Sequence, residues 1–115
     1  PSGVKLLYIL TGEGNFDATE LIKEIPKKAF VVVQASFMSS LAERADLVLP
    51  AAIWSERSGS ITNTEGRVQQ VNKAVEPLGE AKADWEVFSL LAEKLGKKID
   101  ISVDEISAQM TRLVK

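Results

Sequence analysis

Apolar positions follow two different patterns along this chain. In the first half they form nearly continuous runs, VKLLYIL at residues 4–10, FVVV at 30–33 and LVL at 47–49. Continuous apolar runs rich in β-branched residues predict strands covered on both faces, as in a parallel sheet, rather than the in/out alternation of a half-solvated one. Between the first two runs, Leu21, Ile22 and Ile25 lie at helical spacing. Asp17 is placed to cap that helix, Glu20 to sit in its first turn, and Pro26 to stop it. A shorter helix, about Met38 to Arg44, links the second run to the third. The order is βαβαβ, whose parallel crossovers are right-handed in nearly all cases. The predicted architecture is therefore α/β and Rossmann-like, a mostly parallel sheet flanked by helices.

After Pro50 the periodicity fades until Asp84, and Gly59, Gly66, Pro77 and Gly79 punctuate the stretch as turns. Segment 50–84 is predicted to be irregular and to face a cofactor or a partner. Ordering so long a polar segment has a conformational cost that calls for something to bind or pack against. Within it, residues 67–75 could hold a strand, with Val68 and either Val71 or Val75 facing inward. Beyond it, Asp84 is expected to cap a helix reaching about Leu95, with Trp85, Phe88, Leu91 and Leu95 on one face and Gly96 as its stop. Ser102 and Glu105 have capping-box spacing ahead of a final amphipathic helix carrying Ile106, Met110 and Leu113.

At 115 residues the chain is long enough for one domain with a real core, and it is expected to be a single α/β domain over 1–115. A net charge of −2 argues against a nucleic-acid binder, which would be basic. No apolar run approaches the roughly 20 residues of a membrane span. The chain has no Cys and no His. A thiolate iron–sulfur site, a Cys nucleophile, a His base and a conventional zinc site within this chain are thereby excluded. The lack of Cys and of a signal-like N-terminus suits the cytoplasm.

Three blocks carry distinctive wording: ADLVLPAA at 45–52, SGSITNTEGRVQ at 58–69 and KAVEPLGEAKADWE at 73–86. In order and spacing they closely resemble the molybdopterin oxidoreductase family, over roughly residues 30 to 96. That family includes molybdopterin-dependent formate dehydrogenases and the large iron–sulfur subunit of NADH–quinone oxidoreductase. The resemblance implies one domain of a larger oxidoreductase, not catalytic alone, whose partners are the remaining domains or subunits. Its location would be cytoplasmic or peripheral to a membrane complex. It also implies a molybdopterin guanine dinucleotide carrying molybdenum or tungsten in the parent protein. Two rivals stand beside this reading: a subunit-packing module that keeps the fold but has lost the cofactor, and a free nucleotide-binding domain.

The candidate cofactor-binding residues fall in three places. Gly12, Gly14 and Asn15 follow the first strand, where α/β folds cradle phosphates. The third glycine of G-x-G-x-x-G would fall on Asp17, and Glu13 would repel a phosphate, so a tight βα turn is the competing reading. In the family this loop often reads Gly-x-Asn-Pro, whereas Phe16 follows Asn15 here. Gln34 and Ser36 lie at the end of the second strand, where the family often carries an acid after the Gln, suited to a guanine edge; this chain has Ala35. The competing reading has Gln34 ending a strand and Ser36 starting a helix. Thr62, Asn63, Thr64, Gly66 and Arg67 belong to the third place, which by resemblance lies near the pterin. Arg67 could contact an anion through its planar fork, or pair with Glu65 to brace a structural turn. Trp54 and Trp85 read as core or interface anchors, and Glu43, Glu56 and Glu86 as solvated.

Overall fold

The computed structural model describes residues 3–14, 17–99 and 102–113. The chain divides between Ala51 and Ala52 into two compact units.

The first unit is built on three strands, β1 (Leu6–Leu10), β2 (Phe30–Ala35) and β3 (Leu47–Pro50). They pair in the order β1–β2–β3, and both pairings are parallel. The register sets Leu7 beside Val31, Ile9 beside Val33, and Val33 beside Val48. Helix α1 (Thr19–Glu24) links the first pair and α2 (Ser40–Arg44) the second.

The helix starts differ: the N-cap of α1 is Ala18, without a side-chain cap, so Asp17 lies one residue outside the capping position expected of it and closes a local turn onto Thr19 instead. Asp17 Oδ1 accepts the Thr19 N–H at 2.9 Å and the Thr19 hydroxyl at 2.5 Å. Ser39 Oγ accepts the Ala42 N–H at 3.3 Å. Because Ser39 is the cap, α2 begins two residues later than the sequence predicts, and Phe37 and Met38 stay in the β2–α2 loop. Ile25 is extended and ends α1, as the residue before a proline should.

The core lies on one face of this sheet. Val31, Val33 and Ala35 of β2 pack with Ala18, Ile25, Leu41 and Ala42, with Leu7, Ile9, Ile22 and Val48 at the margin. Burying a side chain such as Leu41 is worth about 1.5–3 kcal/mol. The other face carries Leu6, Leu10, Phe30 and Leu47, which remain 46–60% exposed. Val32 and Gln34 of that same face are nonetheless 6% and 0% exposed. The expectation of strands covered on both faces is therefore met at the centre of β2, while apolar side chains towards the ends and margins of the sheet stay uncovered.

In the second unit a single 3-10 turn, Trp54–Glu56, leads to β4 (Gly59–Thr62) and β5 (Val68–Val71), an antiparallel hairpin. The stretch predicted to be irregular thus contains a two-stranded sheet. Of the valines expected to face inward, Val71 is half-buried, while Val68 is 67% exposed. The Ser55 carbonyl receives the N–H groups of Ala74 and Val75 at 2.8 and 3.1 Å, and Ser58 Oγ receives that of Lys73 at 3.1 Å, tying the returning chain down.

Helix α3 spans Asp84–Lys94 and α4 Val103–Leu113. Asp84 lies in the first turn of α3 rather than capping it, and pairs with Arg57 at 3.0 Å. Glu86 instead reaches back to the Ala83 N–H at 2.8 Å, and Glu56 does the same for Ile53 at 3.0 Å. These two glutamates, expected to be merely solvated, satisfy helix-start donors that would otherwise be orphaned. Gly96, at φ +74°, closes α3 as expected. The Lys97 N–H donates to the Ala92 carbonyl and the Gly96 N–H to Glu93, the paired bonds of a Schellman ending. The predicted α3 face is not the buried one: Val87 and Ala92 are buried, whereas Phe88 and Leu95 are exposed. The Ser102–Glu105 capping box is present in both directions, at 2.9 and 3.2 Å.

Candidate functional site

Strands β1 and β2 end side by side, and the loops that follow them frame a cleft of about 320 Å³. Thr11, Gly12, Glu13 and Gly14 line it from one loop, and Phe37, Met38 and Ser39 from the other. Ligand crevices of open α/β sheets lie at this end, beyond the carboxyl ends of the strands. The parallel pairing forces the convergence, since both strands deliver their following loops to the same edge.

The two glycines have a visible consequence. A Cβ built on Gly12 or Gly14 meets nothing within 4 Å, so neither glycine is required by packing against the protein. Both lie outside the positive-φ glycines. What their missing side chains preserve is open space beside the cleft, which lets a ligand approach the backbone. Helices α1 and α2, at six and five residues, are too short to add a useful dipole at this edge.

Gln34 is 0% exposed and works inside the sheet. Its Oε1 accepts the Tyr8 hydroxyl. Its carbonyl accepts the Thr11 N–H at 3.0 Å and the Thr11 hydroxyl at 3.2 Å. Gln34 therefore anchors the root of the glycine loop and is not among the residues lining the cleft. Ser36 is half-buried, again apart from that lining. Asn15 lies outside the described residues.

The third group forms the tip of the β4–β5 hairpin. Asn63 Oδ1 accepts the N–H groups of Glu65 and Arg67 at 3.0 and 2.9 Å, and the Gly66 N–H donates to the Asn63 carbonyl at 3.0 Å. Asn at the first and Gly at the fourth position suit a type I turn. Gly66 then takes φ +79°. Among the described residues no ion pair joins Glu65 to Arg67; the turn is braced by Asn63 instead. Arg67 contributes its backbone to the turn, and its side chain is exposed with Thr62 and Thr64.

Phe37, Met38 and Ser39 were not singled out from the sequence. A signal existed: two large apolar residues directly after a buried strand, at the end where crevices form. Helical spacing absorbed Met38 into α2 instead. Among the described residues, no helix is long and apolar enough to cross a membrane.

The molybdopterin oxidoreductase family model matches residues 1–94. This chain belongs to the molybdopterin oxidoreductase family. It is 47% identical over 97 residues to an F420-dependent formate dehydrogenase subunit alpha of Methanocaldococcus jannaschii, covering 81% of this chain and 14% of that one. A second such subunit, from Methanococcus maripaludis, is 38% identical over 117 residues, covering 96% and 17%. Among solved structures, acetylene hydratase from Pelobacter acetylenicus is similar with a TM-score of 0.50 and 38% identity, over 58% of this chain and 10% of that one. The chain thus spans about one-seventh to one-sixth of the length of these formate dehydrogenase subunits. Membership of the family implies a molybdopterin cofactor in the parent protein.

Proposed function

We propose that this chain is a cofactor-clasping domain of a larger formate-dehydrogenase-type oxidoreductase, in which it holds part of a molybdopterin guanine dinucleotide. The observation that carries the reading is the cleft at the ends of β1 and β2, with open space left at Gly12 and Gly14. The fit is favourable in shape: a concave site with apolar and polar groups converging, and glycines where backbone must meet ligand. Thr11, Ser39 and the backbone of 12–14 would supply hydrogen bonds, and Phe37 and Met38 apolar contact. Arg67, exposed at the hairpin tip of the second unit, would offer its planar fork to an anionic group. When bound, the metal–pterin group would supply the redox chemistry, and this chain only binding and orientation. Similarity to formate dehydrogenase subunits favours formate as the parent's substrate over NADH–quinone chemistry.

The second reading is a packing module that has lost the cofactor. Ala35, where the family often has an acid, and the exposed apolar face around Leu6, Phe30 and Leu47 favour it.

Substitution Gly12→Val separates the two. A Cβ at this position meets nothing within 4 Å, so the substitution should leave the fold intact while narrowing the cleft. In the parent polypeptide, pterin content measured after oxidative release should fall several-fold. Undiminished pterin content would reject the clasping role, and its absence from the unsubstituted parent would favour the packing module.

A further inference from the structure

In the second unit, the end of α3 and the residues just after it frame a groove of about 440 Å³. Leu90 and Ile99 line it, both 43% exposed, with Lys97 and Lys98 beside them. Leu95, between them in sequence, is 79% exposed. Three large aliphatic side chains thus stay in contact with water at one helix end. The charge there is reversed relative to the rest of the chain. Residues 89–99 set Lys94, Lys97 and Lys98 against Glu93, a net of +2, while the whole chain carries −2, which leaves −4 on the other residues. The pull of a helix C-terminus on cations accounts for Lys94, in the last turn, and falls off beyond it. Lys97 needs another reason. Its N–H reaches back to the Ala92 carbonyl in the Schellman ending, at the position that often carries an apolar side chain folded onto the helix. A lysine there forgoes that closure and brings a charge to the groove. Among the described residues, neither Lys94 nor Lys97 belongs to an ion pair.

We infer that this groove docks an acidic segment of a partner protein, which sets aliphatic side chains against Leu90 and Ile99 and carboxylates against Lys94 and Lys97. Charge selects the occupant: an acidic segment is attracted and steered to this island, and a basic one is repelled. The volume is that of a small ligand pocket, enough for a few side chains of a short segment. Three lysines fall short of the roughly four to eight that hold a protein on an anionic bilayer. The acidic remainder of the chain disfavours nucleic acid. The groove belongs to the second unit alone, so docking there does not depend on what the β1–β2 cleft holds.

The test is a titration of the full 115-residue chain with a fluorescein-labelled peptide of four Glu-Glu-Leu repeats, read by anisotropy and by backbone amide resonances. The amides of Ser89, Leu90, Gly96 and Ile99 should shift, and those of Leu7 and Val33 should not. Peptides of Lys-Lys-Leu and of Glu-Glu-Ser repeats should each bind at least about tenfold more weakly. Raising the salt from about 0.05 M to about 0.5 M should weaken the Glu-Glu-Leu peptide by a similar factor, because exposed charges are screened. The double variant Lys94→Glu, Lys97→Glu should exchange the preference, losing the acidic peptide and gaining the basic one. Both positions are exposed, and unchanged amide shifts away from the groove verify the fold. Leu90→Ser should weaken binding about three- to tenfold and leave the salt dependence as it was. If α3 loosens in the double variant, the salt series and the three peptides decide on the wild-type chain. Affinity for the acidic peptide weaker than about 1 mM overturns the proposal. So does equal affinity for the acidic and basic peptides, or binding of phosphatidylserine vesicles in place of the peptide.

Discussion

Asp46 and Val31 hold each other twice: Asp46 Oδ2 accepts the Val31 N–H at 2.7 Å, and the Asp46 N–H donates to the Val31 carbonyl at 2.9 Å. The β2–β3 ladder begins only at Val32 and Leu47, so the Val31 N–H takes a side-chain acceptor instead. The Asp of the ADLVLP wording is therefore a sheet fastener. Asp46→Ala leaves a donor on a fully buried residue without its acceptor and should cost about 1–3 kcal/mol. Asp46→Asn keeps an acceptor and should cost less. Urea unfolding of the three proteins checks this; equal midpoints for Ala and wild type would contradict it.

The hairpin tip should be governed by Asn63 rather than by the charges beside it. Asn63→Ala removes the acceptor of two N–H groups, each worth about 0.5–1.5 kcal/mol net, and should lower the melting temperature measurably. Arg67→Ala should stay within about 0.5 kcal/mol of wild type, since only its backbone serves the turn. A large loss for Arg67→Ala, coupled to Glu65→Ala in a double-mutant cycle, would restore the ion-pair account.

Glycines 14 and 66 should respond differently to the same substitution. Neither added Cβ meets a neighbour within 4 Å, but only Gly66 has a positive φ. Gly66→Ala should cost about 1–2 kcal/mol from backbone strain alone, and Gly14→Ala close to nothing. Denaturation midpoints decide; equal costs would mean that the turn relaxes around the new side chain.

Asp17 gives a pH signature. Hydrogen bonds from the Thr19 hydroxyl and then the Thr19 N–H hold its carboxyl below the ordinary Asp value. A depressed carboxylate contributes stability above its ordinary range and loses it as pH falls through the lowered value. An NMR titration should place the Asp17 midpoint low, and Thr19→Val should move it part of the way back up. An unchanged midpoint in the variant would show that the hydroxyl does not contribute.

How much of this could be read from the sequence depended on how local the physics was. The three parallel strands were legible because continuous apolar runs have few other uses. Helix endings were legible where the chemistry is short-range, as at Gly96 and between Ser102 and Glu105. Strand β4 was not: Gly59, Ser60, Ile61 and Thr62 have the composition of a loop, and only pairing with Val68–Val71 makes them a strand. The face of α3 was misjudged because periodicity tells which residues share a side, not which side a neighbour covers. At the cleft, the glycine loop was visible in the sequence, while its opposite wall depended on where α2 starts, and that turned on Ser39.

The uncovered part of the β-sheet should make the isolated chain adhesive. Leu6 and Phe30 are exposed cross-strand neighbours, and Leu47 and Leu10 lie on the same face beside the buried Val32 and Gln34; exposed apolar side chains of this kind mediate association. Paired Phe30→Lys and Leu47→Lys changes should shift sedimentation towards monomer with little loss of secondary structure. A wild-type chain already monomeric at high concentration would defeat the expectation.

Strand β2 is the middle member of a three-strand ladder, and β1 and β3 are hydrogen-bonded to it but not to each other. Along β2 the amides point alternately to the two neighbours: the Phe30 N–H donates to the Lys5 carbonyl on the β1 side, and the Val31 N–H to Asp46 on the β3 side. Each margin therefore guards its own set of β2 amides. In heavy water, a change that loosens β1 should speed exchange at Val32 and leave Val33 slow, and a change that loosens β3 should do the reverse. The central strand would then carry two clocks, one read from each side of the sheet.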